Sequence, residues 1–365
     1  MPRKPDKTVS LTFNFADPDP EKLEKKVKKV RDNLSAVVLH EKNLWLGVDE
    51  KTSLHRLTRD EGNFGTHQSF DLRKFVKLPM DDDGEEIDFE GMDIDSGHLW
   101  WTGSHSAKRE KPQAEDPVQS LGNMATPTFQ GNRFSLGRVP IVQKGADFEP
   151  EGKGACLDAN ARSNSLSRAL EADPHLAPFV PGKGPGIPSK DNGLDVEGLA
   201  VSGSRVFVGL RGPVLRGCAI ILELQIVEDG QNLRLDPVGS SGPLFRKYFL
   251  DLRGLGIRDL VIDGKDLLIL AGPTMVLDGP VFLYRWRDAL GQKSETFVGA
   301  KDSNLQKLFS IPCGNEDDLT ETKDHAEGLA LIKSPLSVLV CYDSPSDRRI
   351  SGPGRLTVSA DIFNL

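Results

Sequence analysis

The sequence predicts an all-β fold, a β-propeller whose repeat spacing points to five blades, with six as the alternative. Three observations predict it: a hairpin pattern recurs along the chain, two further strand candidates follow most copies, and the last copy is one strand short. Aligned on their second strands, the copies are SAVVLHEKNLWLG from Ser35, EGMDIDSGHLWWT from Glu90, EGLAVSGSRVFVG from Glu197 and DLVIDGKDLLILA from Asp259. A fifth, EGLALIKSPLSVLVC from Glu327 to Cys341, is two residues longer at its turn. Each joins two nearly continuous apolar runs through a polar turn, the pattern of a hairpin buried on both faces.

Taken in order, SLHRLTRD and HQSFDLRKF extend the first copy, AIILELQIV and LFRKYFLDL the third, and VFLYRWRD and LQKLFSIP the fourth. Four antiparallel strands make one blade. The copies start 55, 107, 62 and 68 residues apart, so the long gap holds an insertion, placed at residues 108–193. Within it lie a strand candidate, RFSLGRVPIV, a short helical pattern, SNSLSRALEADP, and the loop-like HLAPFVPGKGPGIPSKDNG. After the last hairpin only RLTVSADIF remains, and the alternating N-terminal TVSLTFNF can supply the missing strand and close the ring. Residues 1–365 then form one propeller domain; an open, solenoid-like array is the alternative to closure.

The chain has 365 residues with 46 Lys+Arg against 54 Asp+Glu, a formal net charge of −8. That balance argues against generic binding to nucleic acid or to anionic membrane. MPRKPDKTVSLTFNF lacks an apolar run of signal-peptide length, and no stretch approaches the ~20 apolar residues of a membrane span, so a cytoplasmic location is expected. Cys156, Cys218, Cys313 and Cys341 are far apart, without zinc-site spacing, and read as free thiols. Trp100 and Trp101 face opposite sides of one strand, and one or both are expected to pack between blades.

In a blade the start of the first strand and the end of the second lie at the same end, so the repeat gathers its charges on one face. The inner ring is Ser35, Glu90, Glu197, Asp259 and Glu327; the second ring is Asp49, Ser104, Arg211, Pro273 and Asp343. Asp88, Asp195, Arg258 and His325 precede the inner positions, and Glu50, His105 and Ser106 follow the outer ones. Crowded carboxylates repel and are costly to bury, so something compensates: a hard cation, protonation, or bonds to Arg211, Arg258 and backbone amides. The other reading is structural, with each acid accepting backbone N–H bonds from the next blade. The acidic run DDDGEEIDFE lacks calcium-loop spacing and reads as a solvated loop, GSHSAK lacks a nucleophile elbow, and GKGPG lacks the GK[ST] of a phosphate-binding loop.

Four stretches carry a resemblance to a family: ADPHLAPF (Ala172 to Phe179), KDNGLDVEGLAV with GLRGP, IDFEGMDID with TGSHS, and HAEGLAL. Together they resemble an uncharacterised bacterial propeller family, known as a domain of unknown function, from about Ser35 to the C-terminus. The DxEGLA element is more distantly similar to esterase-like phytase propellers, which are calcium-dependent phosphoesterases. That second resemblance implies a divalent metal, Ca²⁺ or Mg²⁺, held by Glu90, Glu197, Asp259 and Glu327. The dense Lys/Arg set that a highly phosphorylated substrate requires is missing. The expected function is therefore a metal-dependent hydrolase of a phosphoester or related small anionic ester, with Arg211 and Arg258 stabilising charge and His105 or His325 as acid or base. Asp49, Ser104, Asp195 and Asp343 complete the face. The alternative is a non-catalytic scaffold that presents the same face to a protein or small ligand.

Overall fold

The computed structural model describes residues 2–15, 17, 19–48, 51–80, 82, 84–113, 115–181, 186–239, 242–314 and 323–365. Strand β1 (Lys7–Thr12) and helix α1 (Pro20–Arg31) precede a meander of β2 (Leu34–His40), β3 (Asn43–Val48), β4 (Ser53–Asp60) and β5 (Asn63–Asp71). A second sheet has β6 (Phe89–Asp95), β7 (His98–Gly103), β8 (Leu136–Lys144) and β10 (Ala155–Cys156) in that order, with β9 (Asp147–Pro150) paired to β8. The third runs β11 (Asp195–Ser202), β12 (Arg205–Leu215), β13 (Cys218–Asp229) and β15 (Phe245–Asp251), with β14 (Asn232–Asp236) hairpinned onto β13. The fourth contains β16 (Gly256–Asp263), β17 (Asp266–Gly272), β18 (Val281–Trp286) and β20 (Leu305–Ile311); β19 (Thr296–Val298) lies parallel to β15. The chain ends with β21 (His325–Lys333), β22 (Leu336–Asp343), β23 (Ile350–Ser351) and β24 (Thr357–Asn364).

β1 pairs antiparallel with β24 from Lys7↔Ile362 to Thr12↔Thr357, so the N-terminus does supply the outer strand of the last array. A single bridge, Leu11↔Phe64, joins it to β5 and fuses the first and last arrays into one nine-stranded sheet. Alternation explains the packing: Trp101 faces the seam toward Trp45, while Trp100 faces the seam toward Leu199 and Val206. Apolar clusters fill the seams between consecutive arrays, including that between last and first, where Leu11, Val37 and Leu339 meet. The architecture is all-β and propeller-like, and among the described residues no helix is long and apolar enough to cross a membrane.

Residues 108–193 are not one continuous insertion. They contain β8, β9 and β10 of the second sheet, because RFSLGRVPIV pairs along β7 from His98↔Pro140 to Thr102↔Leu136. Two excursions remain, one carrying helix α2 (Pro117–Ala125) and the other helix α3 (Ser165–Leu170), which falls on the predicted helical pattern and is capped by Asn164. Helix α1 lies outside the repeat and was not anticipated; Asp19 caps its start, and Val27 and Val30 bury its apolar side.

Each inner strand carries a bulge, and the bulges correct one register. Pairing skips a residue between Leu34 and Ala36, Phe89 and Gly91, Ile257 and Asp259, and Ala326 and Gly328, and shifts likewise between Val196 and Leu199. The odd residues are Ser35, Glu90, Glu197, Arg258 and Glu327. Arg258, rather than Asp259, thus occupies the inner ring in the fourth copy. Asp259 takes the place that a small residue, Ala36, Gly91, Gly198 or Gly328, holds elsewhere. Those glycines allow the inner strands to touch: a Cβ at Gly91 would lie 2.7 Å from Leu199 N, and one at Gly198 (φ +92°) 2.9 Å from Asp259 Cα.

Candidate functional site

The bulges turn the ring side chains toward one end of the inner strands, where a chain of ion pairs runs across the second to fifth inner strands. Arg211 donates from Nε and Nη2 to Asp195 Oδ2 at 2.7 and 2.6 Å, and from Nη1 to Glu197 Oε1 at 2.7 Å. Arg258 bonds Glu327 through Nη1, which also lies 3.6 Å from Glu197 Oε2, and donates from Nη2 to Pro273 O at 3.1 Å. Arg133, which the sequence did not single out, pairs with Asp88 at 2.8 Å. Glu90 is half-buried, and its charge acts on Arg211 together with those of Asp195 and Glu197.

Burial, more than any single neighbour, raises three of these carboxyls. It pushes the Glu197 carboxyl up to about 8, although Arg211 and Arg258 favour the charged form. Asp195 is raised for the same reason against the opposing pull of Arg211. Asp343 rises to about 7 through burial and the nearby charge of Glu327. Six carboxyls (Asp88, Glu90, Asp195, Glu197, Glu327 and Asp343) thus face three guanidiniums, and protonation relieves part of the excess.

Three polar atoms of this seam are buried without a hydrogen-bond partner: Glu197 Oε2, Arg258 Nε and Thr274 Oγ1. Thr274 follows Pro273, whose carbonyl Arg258 holds, so the three lie at one junction between the third and fourth sheets. Neither Arg133 nor Thr274 had a repeat signature; only the unpaired charge of Asp88 and the position after the second ring pointed toward them.

Several expected roles fall elsewhere. Asp259 accepts Leu329 N at 2.7 Å through Oδ2 and its neighbour Leu260 N at 2.8 Å through Oδ1, so its carboxyl ties β16 to β21. Asp93 does the same between β6 and β11 through Val201 N at 2.7 Å. The His105 ring is buried edge-on against Phe134, and burial lowers it to about 4, which leaves it neutral and a poor acid at neutral pH. Ser104 is buried, accepting from Ser106 Oγ at 2.9 Å and holding Val196 N through its carbonyl. His325 stands opposite Asp343 in the β21–β22 register. Asp49 lies outside the described residues.

The donor set does not fit a hard cation. Asp259 spends both oxygens on backbone N–H groups, guanidiniums occupy the space beside Glu197 and Glu327, and Arg258 itself holds a ring position. Among the described residues no group of three or more His, Cys, Asp or Glu side chains is arranged to hold a metal ion.

A family model described as "Protein of unknown function (DUF3616)" matches residues 33–361. The chain belongs to the DUF3616 family. No curated protein is significantly similar to it in sequence. Among solved structures, the DUF3616 chain is similar to the PQQ-bound aldose sugar dehydrogenase of Streptomyces coelicolor, at 10% identity and TM-score 0.38 over 100% of both chains. It is also similar to a streptogramin B lyase, at 9% identity and TM-score 0.33 over 98% of both. A third is the β-propeller domain of Myceliophteria thermophila Cps50 (Swd1), at 9% identity and TM-score 0.36 over 91% of this chain and 97% of that one. None of these likenesses is close enough to transfer a site.

Proposed function

We propose that residues 1–365 form a single five-bladed propeller domain and that its channel face is the active site of a cytoplasmic hydrolase of a phosphoester or related small anionic ester. Glu197, rather than a metal ion, supplies the acid. One observation carries the reading: Glu197 Oε2, Arg258 Nε and Thr274 Oγ1 are buried without hydrogen-bond partners, and with Glu197 protonated all three can donate. Three donors at one junction call for an acceptor, and a carbonyl or phosphoryl oxygen is one.

In this scheme Arg258 and Thr274 stabilise the charge that develops on that oxygen, and Glu197 gives its proton to the leaving group. Arg211 holds Asp195 and Glu197 in place. Asp343 is the candidate base for water, within the electrostatic reach of Glu327 and Arg258. The excess of carboxyls over guanidiniums favours a weakly charged ester over a polyphosphate. The scaffold reading rests on a different observation: Val118 and Leu121 on α2 and Val276 after β17 are 81%, 71% and 75% exposed, apolar side chains that suit a protein partner.

A panel of chromogenic phosphoesters and carboxylic esters, with metal analysis and chelation, tests the proposal. The expected result is turnover that survives chelator, declines as pH rises through about 8, and drops at least ~100-fold in Glu197→Gln. Loss on chelation, with recovery on added Ca²⁺ or Mg²⁺, would replace it with a metal-dependent mechanism. Absence of turnover together with a co-purifying protein would replace it with the scaffold.

A further inference from the structure

A second cavity, of about 670 Å³, lies on the flank of the second sheet, away from the channel. Its walls are the segment from Arg73 to Pro79, the β7–β8 edge at His98 and Arg138, residues 153–156, and the β13–β14 turn. The bulge end of β6 and β7 opens on the channel face, whereas His98 sits at the opposite, turn end of that hairpin. The two sites are separate.

The cavity combines an apolar floor with a cationic rim. Val76, Leu78 and Cys156 are buried beneath it, and Phe75, Pro79 and Pro140 extend the apolar surface. Arg73, Lys74, Lys77, Arg138 and Lys153 line it against one carboxylate, Glu228, on a chain whose net charge is −8. Arg138 lies 5.1 Å above the Trp100 ring and pairs with Glu228, which fixes its guanidinium; Arg73 is held by Asp71 at 2.9 Å. Lys74, Lys77 and Lys153 are exposed, and among the described residues none of them forms an ion pair. Among the described residues, three cations without ion-pair partners thus surround an apolar floor, an arrangement that suits an apolar body below and an anionic head above. The volume is within the range of roughly 300–1,000 Å³ usual for small-molecule sites.

We infer that this cavity binds a small organic phosphate, its apolar body on the Val76–Leu78–Pro140 floor and its phosphate among Lys74, Lys77 and Lys153. The inference does not depend on the hydrolase reading of the channel. Phosphate without an organic body gains the charge but not the floor, so it binds more weakly.

Calorimetric titration of the full chain with 1-naphthylmethylphosphonate, a non-hydrolysable aryl phosphate mimic, tests this against inorganic phosphate. The cavity site is expected to take the aryl compound at least ~10-fold more tightly than inorganic phosphate, whether or not the channel adds a second site, since burial of an apolar ring contributes more than about 1.4 kcal/mol. The Lys77→Glu/Lys153→Glu variant should weaken it at least ~10-fold with an unchanged melting midpoint, and Glu197→Gln should bind as the parent does. Reversal of two lysines on α1, Lys25→Glu/Lys28→Glu, controls for general charge and should leave binding intact. Equal affinity for phosphate, unaltered binding in the cavity variant, or an equal loss in the α1 variant would overturn the inference. A loss confined to Glu197→Gln would assign the compound to the channel and overturn it too.

Discussion

Replacing Glu197 by glutamine separates the acid from its architecture. Glutamine has the shape of the protonated carboxyl: its Oε1 can still accept from Arg211 Nη1, and its amide nitrogen donates where the buried Oε2 would carry the proton. What it cannot do is ionise or give that proton away. The folded carboxyl sits at about 8 against 4.5 for an ordinary glutamate, so between those values the folded chain binds a proton that the unfolded chain has lost. Stability contributed by that proton is complete below 4.5, declines as pH rises through this window, and is gone above about 8. The full gap corresponds to about 5 kcal/mol at ~1.4 kcal/mol per tenfold in acidity, and relaxation of the ion-pair chain reduces it to roughly 3. At about 2.1 cal/mol/K per residue, a chain of this length unfolds with ~0.8 kcal/mol/K, so the variant should melt about 4 °C above the parent at pH 9 and level with it at pH 4.5. Melting curves of both proteins across that range check the difference directly. A difference that stays flat with pH, or a parent more stable than the variant at pH 9, would refute the reasoning, because either means that Glu197 folds as an ordinary ionised partner of Arg211.

Three further outcomes follow from the same structure. Asp259→Ala should lower stability by about 2–4 kcal/mol in denaturant titrations, because Leu329 N and Leu260 N lose their acceptor, while ester kinetics, if present, keep their pH profile. Gly198→Ala should cost about 2 kcal/mol or more, since its φ of +92° and a Cβ 2.9 Å from Asp259 Cα separate β11 from β16; the denaturation midpoint reads this. His55 Nδ1 meets His67 Nε2 at 2.9 Å, and His67 Nδ1 meets Asn14 O at 2.8 Å, so both rings fold neutral beside the N-terminal strand. Burial lowers His55 to about 3, so stability is present above 6.5 and is lost as pH falls from there toward 3. A His55→Leu variant should show a flatter melting profile over that window than the parent.

The repeat was legible because burial on both faces writes a long, nearly continuous apolar pattern, and two-residue turns punctuate it at Glu41–Lys42, Ser96–Gly97, Gly203–Ser204 and Gly264–Lys265. Counting back from those turns would have placed Ser35, Glu90, Glu197 and Arg258 in register, since each lies five residues before the last paired residue of its strand. Aligning the copies on their second strands put Asp259 there instead, one position out, because the end of β17 alone does not show where the bulge of β16 falls. The error matters because a one-residue step moves a strand side chain to the opposite face. On one side of that step Arg258 enters the channel beside Glu197; on the other Asp259 reaches across to Leu329 N and binds two blades. The excursions that carry α2 and α3 escaped the repeat because they serve no common seam, and Arg133 and Thr274 escaped with the irregular chain that delivers them to the face. What sequence periodicity can report is the part of the molecule that every blade must repeat. The asymmetry that distinguishes one side of the site, with Arg133, Arg211 and Arg258 on three successive arrays, lies in the departures from it.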